Sequence, residues 1–133
     1  MTGEADPKVS GSWKPWTERA EEDYLLALSA MRRKSPLTYG ATFHAQQCIE
    51  KYFKALLISR QVPFPRTHDL AALGFLCKQA GIILPIDNEA LELLTAYAVE
   101  TRSPGTQPTL EESKEAVKLA RIVRRFIKRT LSL

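Results

Sequence analysis

The sequence predicts an all-α fold, a five-helix antiparallel (up-and-down) bundle. Apolar residues recur at steps of three and four along most of the chain, which is the spacing of one buried helix face. No segment shows the apolar–polar alternation of a half-buried strand, and short proline-bearing segments separate the periodic stretches. With 133 residues, 44% hydrophobic and 26% charged, the chain has the size and balance of one domain with its own core.

The first helix follows a segment without periodicity. Residues 1–15 combine Gly, Ser, Pro, Lys and Asp, so we expect a flexible leader there and a helical bundle over 16–133. Thr17 is the predicted N-cap, with Glu18 in the first turn. The cations of Arg32-Arg33-Lys34 suit the last turn, and Ser35-Pro36 ends the helix. The predicted buried stripe is Ala20, Tyr24, Ala27, Leu28 and Met31.

The second helix is predicted from Tyr39 to Arg60 and is the longest. Its apolar arc is broad, which favours a central helix covered by several neighbours or by a second subunit. The arc consists of Ala41, Ala45, Cys48, Ile49, Tyr52, Phe53, Leu56 and Leu57. The remaining face carries a polar row: His44, Gln47, Lys51 and Lys54.

Three shorter periodic segments complete the bundle. Thr67 is the predicted cap of a third helix over 68–80, and Asp87 or Asn88 of a fourth that reaches 101. Thr109 with Glu112 three residues later predicts a capping box at the start of the last helix. Proline-rich connectors over 61–67 and 102–108 separate these helices.

Composition excludes several classes of function. No phosphate-binding glycine loop and no metalloprotease or hydrolase motif is present, and two histidines cannot build a His-rich metal centre. The two cysteines lie in apolar periodic segments, which predicts buried reduced thiols and neither a disulfide nor a zinc site. No apolar run could span a bilayer and no signal-peptide core is present, so we expect a cytoplasmic protein with no membrane partner and no cofactor.

The net charge of +4 is concentrated in one segment. Residues 109–133 hold seven cations and three acids, whereas the rest of the chain is balanced. Five of these cations lie between Arg121 and Arg129 without an acid among them. This stretch is either a phosphate-contacting patch or a solvated helix face with cations at the favoured terminus.

Two further residues could contact an anion. His68, at a loop-to-helix junction, could bind a phosphate or transfer a proton, or it could fasten the loop together with Asp69. Arg102, at the mouth of the second proline-rich connector, suits bidentate phosphate contacts, although an Arg at a helix C-terminus is also ordinary.

Several segments resemble the HEPN domain family (higher eukaryotes and prokaryotes nucleotide-binding). The second helix, FHAQQCIEKYFKALL over 43–57, is similar to that family's second helix, and Glu22-Asp23 with Ala27 fits its first. The PRTHDL segment over 65–70 matches the family's Thr-His-Asp-Leu start of helix three. TRSP over 101–104 is similar to its Arg-Tyr-Pro segment, with Ser103 in place of the aromatic residue.

The resemblance implies an up-and-down bundle that forms a homodimer and acts beside a minimal nucleotidyltransferase. Some members are metal-independent ribonucleases of toxin–antitoxin systems, whose motif is an Arg separated from a His by four to six residues. Here the positions at that distance after Arg102 are Gln107, Pro108 and Thr109. Gln and Thr cannot replace an imidazole in acid–base catalysis.

We therefore expect a non-catalytic module that binds a nucleotide or another polyanion through Arg66, His68, Arg102 and Lys54. Two alternatives stay open. One is a ribonuclease toxin in which His68 and Arg102 meet through space, with RNA as substrate. The other is a helical adaptor that binds another protein through its apolar second helix.

Overall fold

The computed structural model describes residues 12–100 and 104–133, with the side chains of 98–100 left out. Over these residues the chain forms five helices, so the predicted all-α bundle is confirmed. They are α1 (Lys14–Arg32), α2 (Thr38–Ser59), α3 (Leu70–Gln79), α4 (Asn88–Glu100) and α5 (Leu110–Thr130). The helix α2 lies at the centre and packs against each of the other four.

The first helix begins earlier than expected. Trp13 is the N-cap residue and Lys14 and Pro15 already belong to α1, whereas residues 1–11 of the predicted leader lie outside the described residues. A proline fits the first turn because its fixed φ suits the helix and its missing N–H would be unpaired there. Thr17 is therefore an interior residue, whose hydroxyl donates to the carbonyl of Lys14 at 2.8 Å.

The caps of the later helices are carried by Asp and Thr side chains. Asp69, rather than the predicted Thr67, caps α3, because its Oδ1 accepts from the backbone N–H groups of Ala71 (3.0 Å) and Ala72 (3.2 Å). Asp87 accepts from Ala90 N at 2.9 Å at the start of α4. The capping box of Thr109 at the start of α5 is present as predicted.

The broad apolar arc of α2 is covered by the chain's own helices. All eight of its predicted residues have no exposed surface. Several neighbouring helices therefore account for the arc, which gives no independent support to a second subunit. The homodimer stays a prediction on the family resemblance alone.

Both cysteines are free and buried, as predicted. Burial raises the pKa of both thiols, that of Cys77 to about 12, so neither is a reactive thiolate at neutral pH. Among the described residues, no helix is both long enough and apolar enough to cross a membrane.

Candidate functional site

Two of the predicted site residues meet at one buried carboxylate. Glu50 and Lys54 lie one turn apart on α2, and Lys54 Nζ is 3.0 Å from Glu50 Oε2. Their side chains are only 5% and 7% exposed, respectively. His68, in the connector before α3, places Nδ1 2.8 Å from Glu50 Oε1 while 83% of its side chain is exposed. We call Glu50, Lys54 and His68 the His68 corner.

The carboxylate of Glu50 fixes the tautomer of His68. An ionised carboxylate only accepts hydrogen bonds, so Nδ1 of the imidazole carries the proton and donates. No hydrogen bond within the described residues engages Nε2. Nε2 is therefore free to accept a proton or, in the charged ring, to donate to a ligand.

Lys54 is enclosed by aromatic side chains. Its Nζ lies 5.4 Å from the ring centroid of Trp16 and 5.7 Å from that of Phe64, and these two rings meet edge to face. Cation–π contacts of this kind add to the ion pair when the ammonium is desolvated. Lys54 is therefore buried beside Glu50 and contacts His68 only through that carboxylate, and its predicted contact with an anion stays a prediction.

The other two predicted residues have different outcomes. Arg66 lies two residues before His68 in the same connector, is exposed, and forms no ion pair with a carboxylate in the described part of the chain. Arg102 lies outside the described residues, so the structure does not place it beside His68. Glu50 was not among the predicted site residues, although its i,i+4 spacing to Lys54 is a signal that could have indicated it.

The N-terminus of α3 is not an open anion site. Asp69 already occupies the first N–H groups of the helix, and the N–H of Leu70 donates to Thr95 Oγ1 at 3.3 Å. An anion would compete there with a carboxylate. Ligand binding at this end of the bundle would therefore depend on side chains such as Arg66 and His68.

A second histidine, His44 on α2, is held by a carboxylate in the same way. His44 Nδ1 lies 2.8 Å from Asp23 Oδ1, and Lys51 Nζ lies 2.6 Å from Asp23 Oδ2. We call these three residues the His44 group. Three of the four residues in the predicted polar row of α2 thus bind buried carboxylates, and only Gln47 has no side-chain partner among the described residues.

The basic stretch of α5 is largely attached to α1. Arg124 donates to both oxygens of Glu21 (2.7 and 2.8 Å) and covers the ring of Tyr24 at 4.6 Å. Arg121 donates to the Tyr24 hydroxyl at 3.2 Å, and Lys128 lies 3.7 Å from Glu21. Three of its five cations therefore stabilise the packing of α5 on α1. Lys128 and Arg129 lie in the last turn of α5, as one of the two interpretations predicts, and the phosphate-contacting patch stays a prediction.

The same network shifts the acid–base properties of Glu21. The hydrogen bonds from Arg124 hold the pKa of its carboxyl below the ordinary value, although burial opposes them. A hydrogen bond from the Tyr52 hydroxyl at 3.0 Å acts in the same direction. In the part of the chain that the structure describes, no three His, Cys, Asp or Glu side chains are grouped as metal ligands would be.

Comparison with known proteins gives one family. A family model described as the HEPN domain matches residues 13–130, which is nearly the whole chain. No curated protein and no solved structure gives a significant match.

Proposed function

Because the chain belongs to the HEPN domain family, we propose that it is a nucleotide- or polyanion-binding module whose ligand contacts the His68 corner. The observation that carries this proposal is the state of His68. The buried carboxylate of Glu50 holds the ring through Nδ1, yet 83% of the His68 side chain is exposed to solvent. A ligand in solvent can therefore reach Nε2, an access that a histidine serving only to fasten the connector would not need.

The charge balance of the corner supports an anionic ligand. Glu50 and Lys54 neutralise each other, so the corner gains one positive charge when His68 is protonated. Arg66 adds a second, exposed cation nearby in the connector. Charged donors of this kind form short, strong hydrogen bonds with phosphate oxygens. Lys54 is a positioning residue in this proposal, because it holds the carboxylate that orients His68.

Titration with ATP at low salt tests the proposal, with binding measured by calorimetry. His68→Ala should weaken binding by about ten- to 150-fold, since a hydrogen bond to a charged group contributes about 1.5–3 kcal/mol. His44→Ala is the matched control, because it removes the other carboxylate-bound histidine and should leave ATP binding unchanged. Absence of ATP binding, or equal affinity in the wild type and His68→Ala, would contradict the proposal.

We further propose that the module is a homodimer and acts with a minimal nucleotidyltransferase, without catalysis of its own. The family resemblance supports the partner, and the absence of the Arg–His spacing supports the non-catalytic role. Light scattering of the purified chain tests the dimer. A small nucleotidyltransferase encoded beside this chain and co-purifying with it would support the partnership, whereas failure of the two to co-purify would count against it.

A second candidate function is RNA cleavage with Arg102. The observation that favours it is the Glu50–His68 hydrogen bond, which keeps the ring proton on Nδ1. Nε2 is then left to accept the proton of a ribose 2′-hydroxyl. Incubation of the purified protein with RNA, followed by detection of 2′,3′-cyclic phosphate ends, distinguishes the two functions. Cleavage that is lost in His68→Ala and retained in His44→Ala would support the enzyme over the binding module.

A further inference from the structure

The tip of the α1–α2 hairpin combines exposed cations with exposed aromatic rings. Arg32, Arg33 and Lys34 end α1 and begin the connector, and all three are exposed. No ion pair joins them to a carboxylate in the described ranges 12–100 and 104–133. The helix dipole accounts for a cation in the last turn, such as Arg32, but not for the two that follow the helix end. We call these three residues the tip cations.

Two aromatic rings lie on the same tip. Tyr39 and Phe43 are one turn apart on α2, with ring centroids 6.2 Å apart and an interplanar angle of 16°. They are 44% and 42% exposed, although large aromatic residues elsewhere in α2 are fully buried. The rings of Phe43 and His44 also form a T-shaped contact, with their centroids 5.2 Å apart. We call Tyr39 and Phe43 the tip aromatics.

The connector between the helices holds both sets together. The N–H of Leu37 donates to the carbonyl of Ala30 at 3.0 Å, which closes the turn between the last turn of α1 and the first of α2. The tip cations and Tyr39 therefore lie at the same end of the hairpin. Neither set is explained by the core, since the buried residues of α2 occupy its other faces.

We propose that this hairpin tip binds single-stranded nucleic acid. The tip aromatics supply faces on which bases stack, and the tip cations contact the phosphates. Single strands are bound in this way without sequence preference, because every base has a π-face and every nucleotide a charge. Arginine and aromatic residues are also enriched at protein interfaces, so association with a second copy of the chain is one of the outcomes of the test. The proposal does not depend on a ligand at the His68 corner.

Fluorescence anisotropy with labelled single-stranded oligouridylate and oligothymidylate at low salt tests the proposal. Phe43→Ala should weaken binding by about 5- to 150-fold, which is the range for loss of one base–aromatic stack. Phe43→Trp should retain affinity and Phe43→Leu should not, because leucine keeps apolar bulk but has no π-face. Comparison of the two oligonucleotides shows whether a ribose is required.

The electrostatic part has its own matched control. Replacing all three tip cations with glutamine should reduce the salt slope of log K by about 2, the value for three phosphate contacts to a single strand. The same charge is removed from α5 by glutamine at Lys118, Arg125 and Arg129, which are exposed. That variant should lose little affinity.

Three results would overturn the proposal. The first is absence of single-strand binding by the wild type. The second is equal loss in the tip and α5 variants, which would indicate general electrostatic attraction. The third is a tip variant whose association state differs from that of the wild type by light scattering while its oligonucleotide affinity is unchanged. That result would assign the tip to contact with a second copy of the chain. Phe43→Ala should retain ATP binding, because Phe43 does not belong to the His68 corner, so failure of this proposal and failure of the ATP site are distinguishable.

Discussion

Replacing Lys54 with methionine tests the energetic basis of the His68 corner. Methionine keeps the length and packing of the lysine stem between Trp16 and Phe64, but it removes the charge that neutralises Glu50. The carboxylate is then left buried with only the hydrogen bond from His68. We expect a lower free energy of unfolding, because a buried ionised group without a counter-charge is costly.

The distances and burial give the expected size of the loss. At 3.0 Å between Lys54 Nζ and Glu50 Oε2, the Coulomb attraction is about 5 kcal/mol at an effective dielectric constant of about 20. Part of this is offset in the folded protein by the desolvation of both groups. Removal of one partner from a buried pair costs about 3–5 kcal/mol, and both side chains here are at most 7% exposed. We therefore expect Lys54→Met to lose about 3 kcal/mol.

The assay is urea unfolding followed by circular dichroism, with Lys51→Met as the matched control. Lys51 pairs with Asp23 in the same kind of group, but it is 21% exposed. Water then screens the charges, and the expected loss is about 1 kcal/mol.

The double variant Glu50→Met/Lys54→Met separates the ion pair from its desolvation. Replacement of both members of a buried pair by apolar residues is often neutral or stabilising, so this variant should unfold at or above the wild-type urea concentration. Its nucleotide affinity should still fall, since His68 loses the carboxylate that orients it. A loss of about 1 kcal/mol or less in Lys54→Met, equal to that of Lys51→Met, would refute the reasoning.

Three further predictions concern the glycines, Glu21 and the thiols. A Cβ at Gly74 would lie 2.6 Å from a methyl of a buried leucine, whereas one at Gly40 meets nothing within 4 Å. Gly74→Ala should lower the free energy of unfolding by about 1 kcal/mol through overpacking. Gly40→Ala should raise it by up to about 1 kcal/mol through helix propensity, and urea unfolding measures both. Because Arg124 lowers the pKa of Glu21 in the folded protein, this carboxylate stabilises the fold above its unfolded pKa and the stabilisation is lost as pH falls through the folded value. The acid unfolding curve of Glu21→Gln should accordingly be flatter than that of the wild type, and an unchanged curve would contradict this. The two buried thiols, of which Cys77 has its pKa raised to about 12, should react with a disulfide reagent only as the chain unfolds, so rapid labelling of native protein would count against their burial.

The helices could be predicted from the sequence because their signals are local. The periodicity of apolar residues predicts all five helices. The capping box at the start of α5 could be predicted from two residues three positions apart, Thr109 and Glu112. The start of α3 needed more, since Thr67 and Asp69 are both good caps. The choice depends in part on a hydrogen bond from the N–H of Leu70 to Thr95, a residue 25 positions away.

The candidate site was only partly predictable, because its carboxylates are separated from their partners in the sequence. His68 could be identified from its junction, but its hydrogen bond to Glu50 crosses 18 positions and depends on how the connector packs on α2. The ion pairs of the basic stretch of α5 could not be predicted for the same reason. The stretch itself contains no acidic residue. The carboxylate that pairs with Arg124 is that of Glu21, 103 positions earlier, which the packing of α1 on α5 brings close.

The two histidine groups explain why function is assigned to one histidine and not to the other. In each, a buried carboxylate accepts from Nδ1 of a histidine and binds a lysine of α2, so protonation of either histidine adds one positive charge. The hydrogen bonding of the two histidines is therefore the same, but their access differs: the side chain of His68 is 83% exposed and that of His44 30%. If charge alone determined polyanion binding, loss of either histidine would weaken it equally. A larger effect at His68 would mean that a ligand must reach the free Nε2 of the ring, which is the property that distinguishes a binding site from a buried ion pair.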